Sequence, residues 1–499
     1  MPTKDCPSPK ITRHLEGLAH DNLGVVIRPG IGKKLDEKFY QELRVIATRT
    51  AKLTSGLAKY ALYYDERAEW PASPYYTARV KEHIDLMEGE HHCDVDQFFL
   101  VDEIELEHPF KPASSHVEPS TSDPRVHQVL KKSGACPIGG TKGENWNEAL
   151  QFGAKVKASG SWEEDYSCVA GVRTQPGPPG EGKARIIEMV GTSAYQRSFE
   201  AIADALTLTD QSIKAEMPVM LYHVEPSELG KWYGKYESEV SCWLSWDWSH
   251  YDATLAGELL EAVARYLIGD YQYADLEIGY LLNASIMTPW GTITRWGAMI
   301  SGWMGTNIGD SLANLLHFLK VLDTLGLLRY VVCVLINGDD IVIGFSTQIT
   351  KDNLEKINRR SFMSANLAKV DVGNYIWHSK LIIEMDATGR IIISRIPELV
   401  YNRIKYPERR KDRLDKWIIT MGMANTLEDL VIPGHEHPRG SEVLRHFAKV
   451  DEIDLRNVSD VELMPSAELL ASDLSWREVT SGQEVLDKIR QTRFVRRDF

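Results

Sequence analysis

The sequence predicts an α+β fold, and three observations carry that prediction. Cys242, Leu244 and Trp246 alternate with Trp243, Ser245 and Asp247, the period of a strand that sets the Asp opposite the apolar trio. In VVCVLINGDDIVIGF (331–345) two apolar, β-branched runs flank Asn337-Gly338, a strong short-range hairpin signal. Between these strands run helical stripes: Leu255, Leu259, Val263 and Leu267, then Leu312, Leu315, Leu316 and Leu319 within 306–320.

Taken in chain order, residues 35–55 place Phe39, Leu43, Ile46 and Leu53 at helical spacing, with Arg44, Arg49 and Lys52 between them. Residues 66–132, rich in Pro, His and acidic side chains, show no clear period and are expected to be irregular. Glycine clusters between 133 and 182 mark loops where the backbone turns or approaches a ligand. After the 331–345 hairpin, YIWHSKLIIEM, the turn from Asp386 to Gly389 and RIIISRI predict a second one. Beyond Pro407 the pattern is mostly helical and charged.

The chain has 499 residues, a formal charge of -14, 43% hydrophobic and 26% charged residues. This is the composition of a globular protein of two to four lobes, not of a collagen, a disordered chain or a disulfide scaffold. Net acidity disfavours a simple basic nucleic-acid coat. Six cysteines without C-x-x-C spacing imply neither a zinc site nor a disulfide framework, and reduced thiols are expected. No signal peptide is expected at the N-terminus, and no apolar run is long enough to span a membrane. His91, His92 and Cys93 are adjacent, and three neighbouring side chains rarely face one ion, so a surface loop is expected there.

Chemistry gathers on carboxylates. If the strand ending at Asp247 neighbours the hairpin bearing Asp339 and Asp340, three carboxylates converge at one sheet edge. Such a cluster repels itself unless hard cations sit between the oxygens, and Mg²⁺ suits it, since it keeps positions for water and phosphate. Paired ions of this kind serve phosphoryl transfer.

In this order the segments resemble the motifs of viral RNA-dependent RNA polymerases. DWSHYD (247–252) resembles motif A, SGWMGTNIGDSLAN (301–314) motif B and NGDD (337–340) motif C. GKARIIE (182–188) is similar to the basic motif F, and SGACPIGGTKG (133–143) to the glycine-rich motif G on the template path. NLAK (366–369) falls where motif D belongs, and WHSK (377–380) resembles the primer-grip motif E. The layout of 301–314 most resembles the polymerases of partitiviruses and picobirnaviruses, which have segmented double-stranded RNA genomes. Many positive-strand polymerases carry Asn where Asp310 stands, so whether Asp310 or Asn314 reads the ribose hydroxyl stays open on sequence alone.

The resemblance implies roles. Asp247 and Asp339 would hold two Mg²⁺ ions (Mn²⁺ as substitute), with Asp340 supporting. Asp252 would read the ribose 2′-OH, the group that marks RNA, and also stands where a helix cap belongs. Ser301, Gly302 and Thr306 would form a flexible loop against template and nucleotide, with Gly302 chosen for backbone freedom. Lys183 and Arg185, alternate residues of one strand, would hold the triphosphate, with Arg173 as a third cation. Lys369 would protonate the leaving pyrophosphate. Ser133 and Gly134 would touch template, and Lys380 the nascent strand.

The architecture implied is a right-hand polymerase with closed fingers and thumb. Residues 1–239 are an N-terminal extension and fingers; 240–256 and 298–395 are palm, split by a fingers insertion at 257–297, and 396–499 are thumb. Its partners would be template and product RNA, NTPs and a viral capsid protein, in the host cytoplasm or inside the virion. Two alternatives are a reverse transcriptase and a non-catalytic RNA-binding or capsid-associated protein that kept the fold. Gly338-Asp339-Asp340 and Asp252 argue against the first, intact metal carboxylates against the second. Acidic surface is expected outside, with positive walls inside. The basic stretches 403–416 and 488–499, seven basic to three acidic and five to one, belong to the expected RNA path.

Overall fold

A computed structural model describes residues 25–29, 67–71, 78–130, 141–162, 168–175, 183–221, 226–288, 290–367, 369–378, 381–385, 388–389 and 391–395. These fall into two compact units. One lies within Pro71–Thr174 and Ala184–Ser379, the other within Val25–Trp70, Gln175–Lys183 and Lys380–Phe499.

In chain order the elements that matter are α1 (Ala78–Met87), β1 (Cys168–Gln175), β2 (Lys183–Met189), α2 (Thr192–Ser212), β3 (Val219–Leu221) and β4 (Cys242–Trp246). They continue with α3 (Gly257–Ile268), α4 (Ala274–Asn283), β5 (Ile286–Thr288), β6 (Gly291–Ile293), α5 (Thr306–Thr324), β7 (Val331–Asn337) and β8 (Asp340–Phe345). Last are β9 (Asp371–Gly373), β10 (Leu381–Met385) and β11 (Ile391–Arg395).

The central sheet has the order β9-β4-β8-β7-β3. β7 and β8 form the hairpin the sequence predicts, and β8 pairs antiparallel with β4, Ile341 opposite Trp246. β4 is buried on both faces, which its alternation alone did not foretell. Trp243 stacks on Tyr233 at 5.5 Å, while Trp246 meets the edge of Phe318 at 5.4 Å. A second sheet, β2-β1-β5-β6, carries the basic strand. In the second unit, β10 and β11 pair with Met385 opposite Ile391, as the predicted second hairpin requires.

Helix α5 packs behind the central sheet and is buried nearly all round. Leu312, Leu315, Leu316 and Leu319 form the expected stripe, but Asp310, Ser311, Asn314 and His317 are buried as well. A helix enclosed on every side must satisfy its polar side chains with specific partners. His317 does so with the Gln97 carbonyl and the Ser361 hydroxyl, and burial lowers its pKa to about 4, so it is neutral.

The stretch 66–132, expected to be irregular, contains α1 and a second helix, Pro124–Leu130. Val80, Ile84 and Met87 sit at helical spacing in α1 and are buried, a stripe hidden by the acidic and His residues around it. The predicted helix at 35–55 and the helical region after Pro407 lie outside the described residues.

Two buried cations brace the fold. Arg197 of α2 pairs with Glu277 of α4 at 2.6 Å. Arg295 donates to the carbonyls of Leu281, Ala284, Gly297 and Ala298, tying the 281–298 segment together. Neither was singled out from sequence, because a lone Arg gives no sign of the carbonyls that will surround it.

Candidate active site

Strand register sets the carboxylates. Ile341 lies opposite Trp246, so Asp247 and Asp340 leave adjacent strands at the same end of the sheet. Asn337 pairs with Asp340, which makes Gly338 and Asp339 the two turn residues, one step on from the Asn337-Gly338 turn read from sequence. Gly338 has φ +62° and Asp339 does not enter the left-handed region, the pattern of a type II′ turn.

Helix α5 holds this turn through three side chains. Asn307 Nδ2 donates to Asn337 Oδ1 at 3.0 Å, and the Gly338 N–H donates to Ser311 Oγ at 2.8 Å. Asn314 Nδ2 donates to both the Gly338 and Asp339 carbonyls at 3.0 Å, while its Oδ1 accepts from Trp248 Nε1 at 2.9 Å. Asn314 is fully buried and its amide is committed at both ends. In this arrangement its polar atoms face Trp248 and the turn.

Lys369 reaches Asp247 from the 364–369 segment. Ser249 N–H donates to the Ser364 carbonyl and Asn366 N–H to the Asp247 carbonyl, both at 2.8 Å, so this segment lies along the chain leaving β4. Lys369 Nζ then stands 2.9 Å from each Asp247 carboxylate oxygen. The small cleft there is lined by Asp247, Asp340, Lys369, Trp377 and His378, among others.

Asp252 lies in the first turn of a four-residue helix whose cap is His250, so Asp252 is not itself the cap. Burial first, then the charges of Asp339 and Glu188, push its pKa up to about 7. Asp310 is raised well above the usual carboxylate range by burial and by Asp252 and Asp339, and its Oδ1 has no hydrogen-bond partner among the described residues. Asp339 is raised by burial and by Asp340 and Asp247, and Arg185 opposes this at both Asp339 and Asp252. Desolvation of the carboxyl groups is the largest cause of each shift, and neighbouring carboxylates add to it.

Ser301 and Gly302 are bound to β2. The Ser301 N–H and hydroxyl both donate to Glu188 Oε2, at 3.0 and 2.5 Å, and the Glu188 N–H returns a bond to Ser301 Oγ at 2.9 Å. Gly302 does not have a positive φ; a Cβ there would strike the Glu188 carbonyl. Close approach, rather than the backbone freedom expected from sequence, is what requires glycine. The Thr306 hydroxyl donates to the Ile300 and Trp303 carbonyls at 2.7 and 2.8 Å and closes the 300–306 turn.

With this geometry in place, comparison with solved structures identifies the architecture. The chain is similar to the RNA-dependent RNA polymerase of a human picobirnavirus at TM-score 0.66 and 14% identity, over 97% of this chain and 93% of that one. It is also similar to an insertion-loop deletion mutant of that enzyme at TM-score 0.63 and 15% identity, over 99% and 98%. The chain has the right-hand polymerase fold. No family model and no curated protein matches its sequence.

Within the polymerase fold, the segments that resembled motifs A, B, C, D and F meet around the Gly338-Asp339 turn. Glu188 is the residue that sequence reading missed. It lay inside the motif-like stretch 182–188, but its role depends on Ser301, 113 positions away. Lys183 and Arg173 belong to β2 and β1, and Arg185 is exposed on β2. Ser133, Gly134 and Lys380 lie outside the described residues, as do the basic stretches 403–416 and 488–499. His92 bonds Glu258 at 2.6 Å and Glu90 at 3.1 Å on the surface, so His91–Cys93 is the expected loop.

Among the described residues no three His, Cys, Asp or Glu groups stand close enough to hold a metal ion. The donor set nevertheless suits a hard cation. It is all carboxylate, the charges of Asp247 and Asp340 already bear on Asp339, and Lys369 sits on both oxygens of Asp247. No described helix is long and apolar enough to cross a membrane.

Proposed function

We propose that this chain is an RNA-dependent RNA polymerase that replicates and transcribes a viral RNA genome from NTPs. The observation that carries the reading is the Gly338-Asp339 turn. Its backbone is tied to α5, and register sets it beside Asp247 in a polymerase fold. Such bracing presents carboxylates without reorganisation, which is what transition-state stabilisation of phosphoryl transfer requires.

Asp247, Asp339 and Asp340 are the residues that would hold Mg²⁺, or Mn²⁺ in its place. Bound there, such ions would supply activation of the 3′-hydroxyl and charge neutralisation on the leaving pyrophosphate. Arg185, whose charge bears on Asp252 and Asp339, meets the triphosphate with its planar fork. Asp252, with a pKa near 7, exchanges a hydrogen bond with the ribose 2′-OH, and Asp310 supplies a second buried oxygen behind it. Lys369 delivers a proton to the pyrophosphate oxygen.

In this reading fingers and thumb close over a positively lined RNA channel. The enzyme works in the host cytoplasm or within the virion, beside capsid protein, on a double-stranded RNA genome. The test is incorporation of rNTPs against dNTPs on one RNA template with Mg²⁺ or Mn²⁺. Selective ribonucleotide incorporation supports the reading, and preference for dNTPs would instead make the protein a reverse transcriptase.

A further inference from the structure

Asn314 makes three hydrogen bonds that together join both carboxylate-bearing segments. Its Oδ1 accepts from the indole of Trp248, the residue next to Asp247. Its Nδ2 donates to the Gly338 and Asp339 carbonyls, the two peptide units that orient Asp339. Trp248 is itself fixed by edge contacts with Trp246 at 5.6 Å and Phe318 at 5.8 Å, so its N–H is a rigid reference point. Asn314 and Trp248 are buried, so water does not replace a bond lost between them without rearrangement, while the turn carbonyls are partly buried.

We propose that Asn314 is a positioning residue that sets the separation between Asp247 and Asp339, and with it the affinity and selectivity of the site for divalent cations. The inference rests on the polymerase reading of the site. An amide is the one uncharged side-chain group that offers an acceptor and two donors from a single plane. Asp would keep the acceptor for Trp248 but face two carbonyl oxygens with its other oxygen and add charge beside Asp339. Leu fills similar volume and makes none of the bonds. Groups that hold metal-binding side chains from behind commonly control metal affinity by about 10–100-fold. Mg²⁺ demands near-ideal octahedral geometry, so a loosened carboxylate pair penalises it more than Mn²⁺.

The experiment is Mn²⁺ binding to the full chain by electron paramagnetic resonance, with Mg²⁺ as competitor, on wild type, Asn314→Leu, Trp248→Phe and the double variant. Expected is Mn²⁺ affinity about 10–100-fold weaker in Asn314→Leu, a larger loss for Mg²⁺, and a smaller loss of the same sign in Trp248→Phe. The double variant should be no worse than Asn314→Leu, since both remove one shared bond. Folded Asn314→Leu with wild-type Mn²⁺ and Mg²⁺ binding would overturn the proposal. Where Asn314→Leu does not fold, unchanged metal binding in Trp248→Phe overturns it. Wild-type protein that binds the ions but joins no nucleotides refutes the polymerase reading instead, and the metal-binding comparison still decides the role of Asn314.

Discussion

Replacing Lys369 with Ala should weaken the metal-free protein and strengthen its hold on divalent cations. Lys369 Nζ lies 2.9 Å from both Asp247 oxygens, with side-chain exposures of 27% and 13%. Exposed ion pairs contribute about 0–1 kcal/mol. Removing one partner of a buried pair costs about 3–5 kcal/mol. This pair lies between those limits, and its carboxylate also faces Asp339, so the loss should be about 2 kcal/mol, or a few degrees in Tm.

A cation arriving at Asp247 must take the same two oxygens from Lys369. Without the lysine, that competition vanishes, and at about 1.4 kcal/mol per tenfold the affinity at this position should rise about 10–30-fold. Differential scanning fluorimetry with and without Mg²⁺, together with Mn²⁺ titration by calorimetry, reads both effects. Lys369→Ala should show the lower metal-free Tm, the larger metal-induced rise and the tighter binding. Unchanged or weaker metal binding in this variant would refute the argument that lysine and metal compete for one carboxylate.

The other expectations are narrower. Asp252 holds its proton in the folded state up to about pH 7, whereas the unfolded chain releases it near 4, so the fold binds more protons between those values. Metal-free stability should therefore fall as pH rises from about 4 to 7, and Asp252→Asn should flatten that slope in a Tm-against-pH series. Ser311→Ala takes the acceptor from the partly buried Gly338 N–H and should cost about 1 kcal/mol in chemical denaturation, with catalysis reduced further than stability. Gly302→Ala drives a methyl into the Glu188 carbonyl and should cost about 1–3 kcal/mol and uncouple the 301–305 turn from β2, which nucleotide KM would report.

The legible parts of the fold were those written in short-range pattern. Alternation at 242–247, the apolar runs around Gly338 and the leucine stripe of α5 each specify an element from within a few residues. The carboxylates were legible because turn chemistry and strand ends fix where Asp247, Asp339 and Asp340 sit. What the sequence hid depends on distant partners. Glu188 acquires its role from Ser301, and Lys369, though singled out from sequence, finds its ion-pair partner in Asp247, 122 positions away. Asn314, grouped with the nucleotide-binding residues from sequence, bonds Trp248 and the turn carbonyls, partners that only the fold brings to it. Helix α1 was missed because Glu82, His83 and Asp85 mask a three-residue stripe. Gly302 was read for the wrong property, since local sequence does not tell a glycine needed for positive φ from one needed for contact.

The central claim is that Asp339, held at the turn by α5, carries template-directed RNA synthesis. Purified protein should extend RNA on a defined template with Mg²⁺ or Mn²⁺, with or without primer, into product complementary to that template. Asp339→Ala should remain folded and yield none. Near wild-type synthesis by Asp339→Ala, or no product from a wild-type protein that the metal stabilises, would contradict it.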